Sequence, residues 1–186
     1  MRLLLALSLL ALAGCSREAL QVYNTVPDFE LTSSSGSVFK SKDKLAGHVW
    51  IADFIYTNCP GPCPRMTSVM RKLVREIDAD SKGQSIRFVS FSVDPARDTP
   101  AILQAYADRV SAPRDRWYFL TGDVATLEML DRRAFLLGDV DGKLEHSTRF
   151  VLVDERNRVR GYYDSLSQED LNKLKSDALH LVGETS

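Results

Sequence analysis

Two cysteines, Cys59 and Cys63, lie four positions apart in a loop that is rich in proline and glycine. Thiols at this spacing can close a small disulfide, cycle between the dithiol and disulfide forms, or chelate a soft metal ion. A disulfide across so short a loop removes little chain entropy, so it would stabilise a fold only weakly. The spacing therefore favours a redox couple or a metal site over a purely structural disulfide, and it leaves the choice between those two open.

The cysteine loop connects a strand pattern to a helix pattern. Residues 49–56 form a short, largely apolar run that is rich in β-branched and aromatic side chains, which is typical of a buried strand. Apolar residues recur at helical spacing over residues 66–78, and Pro64 suits the first helical position because proline lacks an N–H and has a fixed φ. We therefore expect Cys63 at a helix N-terminus, where the helix dipole and the nearby Arg65 favour a thiolate.

The other elements follow from the same periodicities. Residues 27–39 predict an N-terminal β-hairpin, and a capped helix is expected after Asp98 or Thr99. Further helix patterns follow Asp123 and Ser167. Apolar runs predict additional strands at residues 86–93, 117–120, 149–153 and 159–163, the last two joined by a polar turn.

This order of elements predicts an α/β, thioredoxin-like fold: a central mixed β-sheet flanked by helices, with an N-terminal β-hairpin extension. In open α/β sheets, functional sites lie at the carboxyl ends of the parallel strands, which is where the cysteine loop is expected. With 186 residues, 44% hydrophobic and 26% charged, the chain suits one globular domain. Its formal net charge of −1 gives no indication of nucleic-acid binding.

The first residues have the pattern of an export signal. A charged tip precedes a short apolar run, and residues 12–15, Leu-Ala-Gly-Cys, resemble the lipobox of bacterial lipoproteins. That resemblance implies cleavage before Cys15, which then carries the lipid; the alternative is an ordinary secretory signal with a chance cysteine. We expect a removed signal peptide over residues 1–14, a tether over 15–26 and the folded domain over 27–184. The domain is then membrane-anchored and faces the periplasm or the extracellular side.

One histidine is a candidate third ligand. His146 precedes the predicted final hairpin, where a loop could bring it over the cysteines, whereas His48 and His180 suit structural or solvated roles. Met66 and Met70 share the apolar face of the predicted helix, so core packing is favoured over ligation by their sulfur atoms. Both tryptophans, Trp50 and Trp117, lie in strand patterns and are expected in the core.

Three stretches in combination resemble the Sco (SenC) family of copper chaperones. Residues 54–67 contain the run Cys-Pro-Gly-Pro-Cys-Pro, residues 92–99 read Ser-Val-Asp-Pro-Ala-Arg-Asp-Thr, and His146 precedes the hairpin. The similarity extends over about residues 27–182. Within it, Asp94 and Pro95 suit a turn rather than a ligand site.

The resemblance implies a metallochaperone rather than an enzyme. It implies a thioredoxin-like fold that binds one copper ion per chain, as Cu(I) or Cu(II), through Cys59, Cys63 and His146. The implied partner is the copper-bearing subunit of cytochrome c oxidase, whose binuclear copper centre the family helps to build. A thioredoxin-like reductant is a further possible partner, and the lipid anchor connects the protein to a membrane.

Other functions use the same cysteines without the histidine. A thiol-disulfide oxidoreductase acting on the cysteines of the copper-receiving subunit needs Cys59 and Cys63 to cycle, although ordinary thioredoxin chemistry uses two intervening residues rather than three. A thiol peroxidase needs one activated cysteine and a donor such as Arg65. In a redox sensor, the state of the pair changes a docking surface. A requirement for His146 separates the chaperone from these alternatives.

Overall fold

The computed structural model describes residues 19–137 and 147–183. Within them, one mixed sheet has eight strands. These are β1 (Asn24–Thr25), β2 (Glu30–Ser33), β3 (Val38–Lys40), β4 (Trp50–Ile55), β5 (Arg87–Ser92), β6 (Trp117–Thr121), β7 (Arg149–Val153) and β8 (Arg158–Asp164). The helices are α1 (Ser41–Lys44), α2 (Pro62–Asp78), α3 (Pro100–Arg109), α4 (Val124–Glu128) and α5 (Gln168–Gly183), and a π-helical turn, Met129–Ala134, directly continues α4.

The strand order across the sheet is β1-β8-β7-β4-β5-β6-β2-β3. The central strands β4, β5 and β6 run parallel, whereas β7 pairs antiparallel with β4 and with β8. The predicted final hairpin is therefore confirmed. The hairpin formed by β2 and β3, which was also predicted, extends the sheet because β2 pairs antiparallel with β6.

The strand β4 is buried along its whole length because helices cover both faces of the sheet. Ile51 and Ile55 face a core with α2, α3 and α5, whereas Trp50 and Phe54 face a second core with α4 and the π-helical turn. By this alternation, Asp53 faces the same side as Ile51 and Ile55, which is also the side of both cysteines.

The helix α2 begins earlier than predicted. Its first residue is Pro62, so Cys63 and Pro64 already lie in the first turn. Pro62 satisfies the preference for proline at the start of a helix as well as Pro64 does, and the sequence pattern did not separate the two.

The predicted core positions of two methionines and both tryptophans are confirmed. Met66, Met70 and Trp50 are fully buried, and Trp117 is 2% exposed.

The chain packs on the sheet before the predicted start of the domain. Within the stretch predicted as a tether, β1 pairs with β8, and the Arg160 guanidinium donates hydrogen bonds to the carbonyls of Leu20, at 2.7 Å, and Gln21, at 3.2 Å. The buried Asp154 carboxylate pairs with the same guanidinium at 2.7 Å. In the described ranges, no helix is both long and apolar enough to cross a membrane.

Candidate dithiol and metal site

The cysteines lie at the carboxyl end of β4, between that strand and α2. Residues 56–59 form a turn in which the Cys59 N–H donates to the Tyr56 carbonyl at 3.3 Å. Both cysteines are free thiols; Cys59 is 8% exposed and Cys63 is fully buried. The structure confirms the predicted position of the pair at the carboxyl ends of the parallel strands.

The sulfur of Cys59 accepts hydrogen bonds from several directions. The Cys63 N–H donates to it at 3.4 Å, and the Cys63 thiol, the Gly61 N–H and the Tyr56 hydroxyl donate as well. Burial opposes ionisation of this thiol, but the donors outweigh burial and lower its pKa below the usual value. Cys59 is therefore the thiol that ionises first.

Cys63 has the opposite environment. Burial raises the pKa of its thiol to about 12, and its hydrogen bond to Cys59 acts in the same direction. The prediction that the helix N-terminus would favour a thiolate at Cys63 is therefore wrong. The N–H groups of Gly61, which precedes the helix, and of Cys63 point at the Cys59 sulfur instead, and Arg65 is exposed to solvent. The helix terminus stabilises the sulfur in front of it rather than the one within its first turn.

A buried carboxylate holds the cysteine turn in place. Asp98 is 1% exposed and accepts hydrogen bonds from the Thr57 N–H at 3.2 Å, the Thr57 hydroxyl at 2.5 Å and the Ser92 hydroxyl at 2.7 Å. It thus joins the loop after β4 to the loop after β5. Sequence reasoning treated Asp98 only as a possible helix cap, whereas the cap is Thr99, whose hydroxyl accepts from Ile102. The adjacent carboxyl ends of β4 and β5 were the signal that could have linked Asp98 to the cysteines.

A second buried acid lies beneath the site. Asp53 is fully buried, and the neighbouring Ser90 side chain offsets only part of the cost of burying its negative charge. Burial raises its pKa from 3.8 to about 7. Its charge also contributes to raising the pKa of Cys63. Sequence reasoning counted Asp53 only as part of a strand, although a lone acid within a run of buried apolar residues is a signal of its own.

The structure brings together two of the predicted ligands. Cys59 and Cys63 are adjacent, whereas His146 and the predicted lipid-bearing Cys15 lie outside the described residues. His48 lies at the opposite end of β4, where its ring contacts the Ser85 carbonyl at 3.1 Å, as expected for a structural role. Within residues 19–137 and 147–183, no three His, Cys, Asp or Glu side chains are grouped so that they could hold a metal ion. The two thiols supply soft donors that suit Cu(I).

The fold and the site together define a class of protein. A mixed sheet flanked by helices, with a dithiol loop between the end of a parallel strand and a helix N-terminus, is the thioredoxin-like arrangement. The crystal structure of a SCO1/SenC family lipoprotein from Bacillus anthracis aligns with a TM-score of 0.75 and 31% identity, over 85% of this chain and 95% of that one. The predicted fold class is thereby confirmed.

The family model for SCO1/SenC matches residues 17–178, and the chain belongs to that family. A relative from Stutzerimonas stutzeri, described as a putative copper-binding protein, is 32% identical over 74% of this chain and 68% of its own length. The solved structure of BsSco aligns with a TM-score of 0.77 and 29% identity, over 90% of this chain and 99% of that one. BsSco is described as having a disulfide switch and as a member of the Sco family of cytochrome c oxidase assembly proteins.

Replacing Asp98 should loosen the cysteine turn. In Asp98→Asn, the amide keeps the size of the side chain but replaces one accepting oxygen by an N–H₂ group, which then faces the hydroxyl donor of either Thr57 or Ser92, so the free energy of unfolding should fall by about 2 kcal/mol. Amide exchange at Thr57 should accelerate in parallel. Asp123→Asn is the matched control, because Asp123 is an exposed capping carboxylate distant in sequence from the site. Equal losses of stability in both variants, with unchanged exchange at Thr57, would contradict the assigned role.

The pH dependence of the free energy of unfolding should reflect the raised pKa of Asp53. An acid whose pKa is raised on folding stabilises the protein most at low pH, and that contribution is lost as the pH rises from about 4 through about 7. In Asp53→Asn this titration is absent. The unfolding free energy of the variant relative to the natural protein should therefore increase by about 3 kcal/mol between pH 5 and pH 8. Denaturant unfolding at both pH values, under reducing conditions, measures the change. The exposed Asp28→Asn should show no such trend, and a flat difference for Asp53→Asn would rule the assignment out.

Proposed function

We propose that this protein is a membrane-anchored, copper-binding chaperone that delivers copper to the binuclear copper centre of cytochrome c oxidase or prepares that centre. The observation that carries the proposal is the pair of sulfur donors at the site-bearing edge, one of which is poised to ionise, in a chain of the SCO1/SenC family. Soft sulfur ligands select Cu(I), and an imidazole suits Cu(II) as well. The donor set therefore fits copper in both oxidation states.

Each ligand has a distinct part in this proposal. Cys59 offers a thiolate first, because the surrounding donors already stabilise its negative charge. Cys63 holds its proton until a cation arrives, since burial makes a second thiolate costly, and binding of the metal then releases that proton. His146 is the proposed third ligand. A site with only three protein ligands leaves a position that a ligand from the receiving protein can enter.

The relatives support copper as the cargo and the oxidase as the destination. The Stutzerimonas relative carries the name putative copper-binding protein, and BsSco is described as a member of a family of cytochrome c oxidase assembly proteins. The proposed partner of this chain is accordingly the copper-bearing subunit of cytochrome c oxidase.

The asymmetry of the thiols supports thiol-disulfide exchange as a second candidate. The Cys59 thiolate would attack a disulfide of the copper-receiving subunit, form a mixed disulfide and release one partner thiolate. The Cys63 sulfur would then attack Cys59, close the internal disulfide and release the second partner thiol. Two electrons pass to the partner, and a thioredoxin-like reductant must restore the dithiol. This activity does not require His146.

Copper binding by the reduced protein tests the proposal directly. The reduced chain should retain about one Cu(I) or Cu(II) per molecule after gel filtration. The disulfide form should retain none until it is reduced, because the disulfide removes both thiolates. His146→Ala should keep much of the Cu(I) binding, since two thiolates satisfy that ion, but should lose or shift the thiolate-to-copper absorption of the Cu(II) form.

Two controls complete the copper experiment. His48→Ala changes a histidine at the opposite end of β4 and should leave both forms of copper binding intact. Thiol counts and circular dichroism show that each variant is reduced and folded. Stoichiometric copper uptake by verified disulfide-form protein would refute the proposal. If His146→Ala kept the Cu(II) spectrum of the natural protein and supported normal oxidase assembly in cells, thiol-disulfide exchange would become the favoured function.

The proposed anchor is tested separately. The resemblance of residues 12–15 to a lipobox and the lipoprotein relative from Bacillus anthracis support lipidation of Cys15. Cys15→Ser should therefore leave the precursor uncleaved and unlipidated. Mass spectrometry of the membrane-extracted protein measures both changes. Finding an unmodified Cys15 in the natural protein would exclude the anchor while leaving the copper proposal intact.

A further inference from the structure

Tyr56 begins the cysteine turn and contacts its last residue. The side chain is half-buried, and its ring packs against the core that contains both cysteines. Its hydroxyl donates a hydrogen bond to the sulfur of Cys59. The copper and exchange chemistry proposed above uses the cysteines and the histidine, but it assigns this tyrosine no part.

The turn itself determines where the Tyr56 side chain lies relative to Cys59. The Cys59 N–H donates to the Tyr56 carbonyl, which brings the first and fourth residues of the turn together. Between them, Thr57 is held to Asp98 through both its backbone N–H and its hydroxyl. These contacts hold the backbone of residues 56–59 in one conformation, so the Tyr56 side chain starts from a fixed position next to Cys59.

Among the donors to Cys59, Tyr56 has a distinct position. The Cys63 thiol ceases to be a donor once its sulfur binds a metal or forms a disulfide. The N–H groups of Gly61 and Cys63 belong to the backbone, so they are present whatever the side chains are. Within residues 19–137 and 147–183, Tyr56 is thus the side-chain donor that can act on Cys59 in both the metal-free dithiol and the loaded protein.

We propose that Tyr56 is a positioning residue of the dithiol site, whose hydroxyl stabilises the reduced sulfur of Cys59 and limits the electron density that this sulfur donates to copper. The first effect concerns the metal-free protein alone. The second rests on the proposed copper-binding function.

Both effects follow from a hydrogen bond to a sulfur that carries negative charge. Such a bond exists in the dithiol form and is weakened in the disulfide, whose sulfur is a poor acceptor, so it favours reduction. On a copper-bound thiolate, the same bond withdraws charge from the sulfur. Donation to Cu(II) is then weaker, which raises the energy of the thiolate-to-copper absorption and favours Cu(I).

The metal-free test uses Tyr56→Phe in glutathione redox buffers at pH 7. Reduction consumes two glutathione thiols, breaks the internal disulfide and yields the dithiol and one glutathione disulfide. Loss of the hydroxyl should lower the equilibrium constant for this reduction about tenfold, a change of about 30 mV toward more negative potential. Tyr118→Phe is the matched control, because Tyr118 is a partly exposed tyrosine whose hydroxyl donates to the Asp115 carbonyl. It should leave the equilibrium unchanged.

The copper arm uses the same two variants loaded with Cu(II). In Tyr56→Phe the thiolate-to-copper absorption should move to longer wavelength, and in Tyr118→Phe it should stay in place. A redox equilibrium in Tyr56→Phe equal to that of the natural protein, with a folded chain by circular dichroism, would overturn the proposal. If the equilibrium falls as expected but neither the natural protein nor either variant binds copper, the role of Tyr56 in the dithiol stands and the proposed copper function fails.

Discussion

The hydrogen bonds of one buried carboxylate hold the functional edge of this molecule together. Asp98 follows β5 and accepts hydrogen bonds from Thr57, which follows β4, so the loops after two neighbouring parallel strands are joined to each other. That connection fixes the turn that presents Cys59 to the first turn of α2. The donors around Cys59, the burial of Cys63 and the contact from Tyr56 all depend on the same backbone path.

The two sulfur atoms of the site differ in how well their surroundings stabilise negative charge. Negative charge on Cys59 is stabilised by N–H groups at the start of α2, whereas negative charge on Cys63 is opposed by burial and by the carboxylate of Asp53. A dithiol arranged in this way resists carrying two negative charges by itself. An approaching cation removes that resistance, so a metal ion and the second thiolate are expected to appear together.

Periodicity in the sequence was enough to predict the strands, the final hairpin and the location of the cysteine loop, because buried apolar patterns depend mainly on local geometry. It was not enough to predict which cysteine ionises. That property depends on which sulfur the N–H groups of α2 reach, and the helix begins at Pro62 rather than at Pro64. The roles of Asp53 and Asp98 likewise arise from packing between strands that are distant in the chain. Sequence reasoning named Cys59 and Cys63 as a pair, and the structure brings them together, whereas His146 stays a prediction because it lies outside the described residues.

The two ends of the sheet show how such a protein avoids unwanted partners. The outermost strands are β1, of two residues, and β3, of three. Short edge strands present few unpaired backbone groups, so they are poor templates for the addition of a strand from another molecule. Domains of this kind can be concentrated on a surface without joining their sheets into larger aggregates. The cysteines lie away from both outer strands, at the carboxyl end of the central strand β4, so this protection of the sheet leaves their surroundings unchanged.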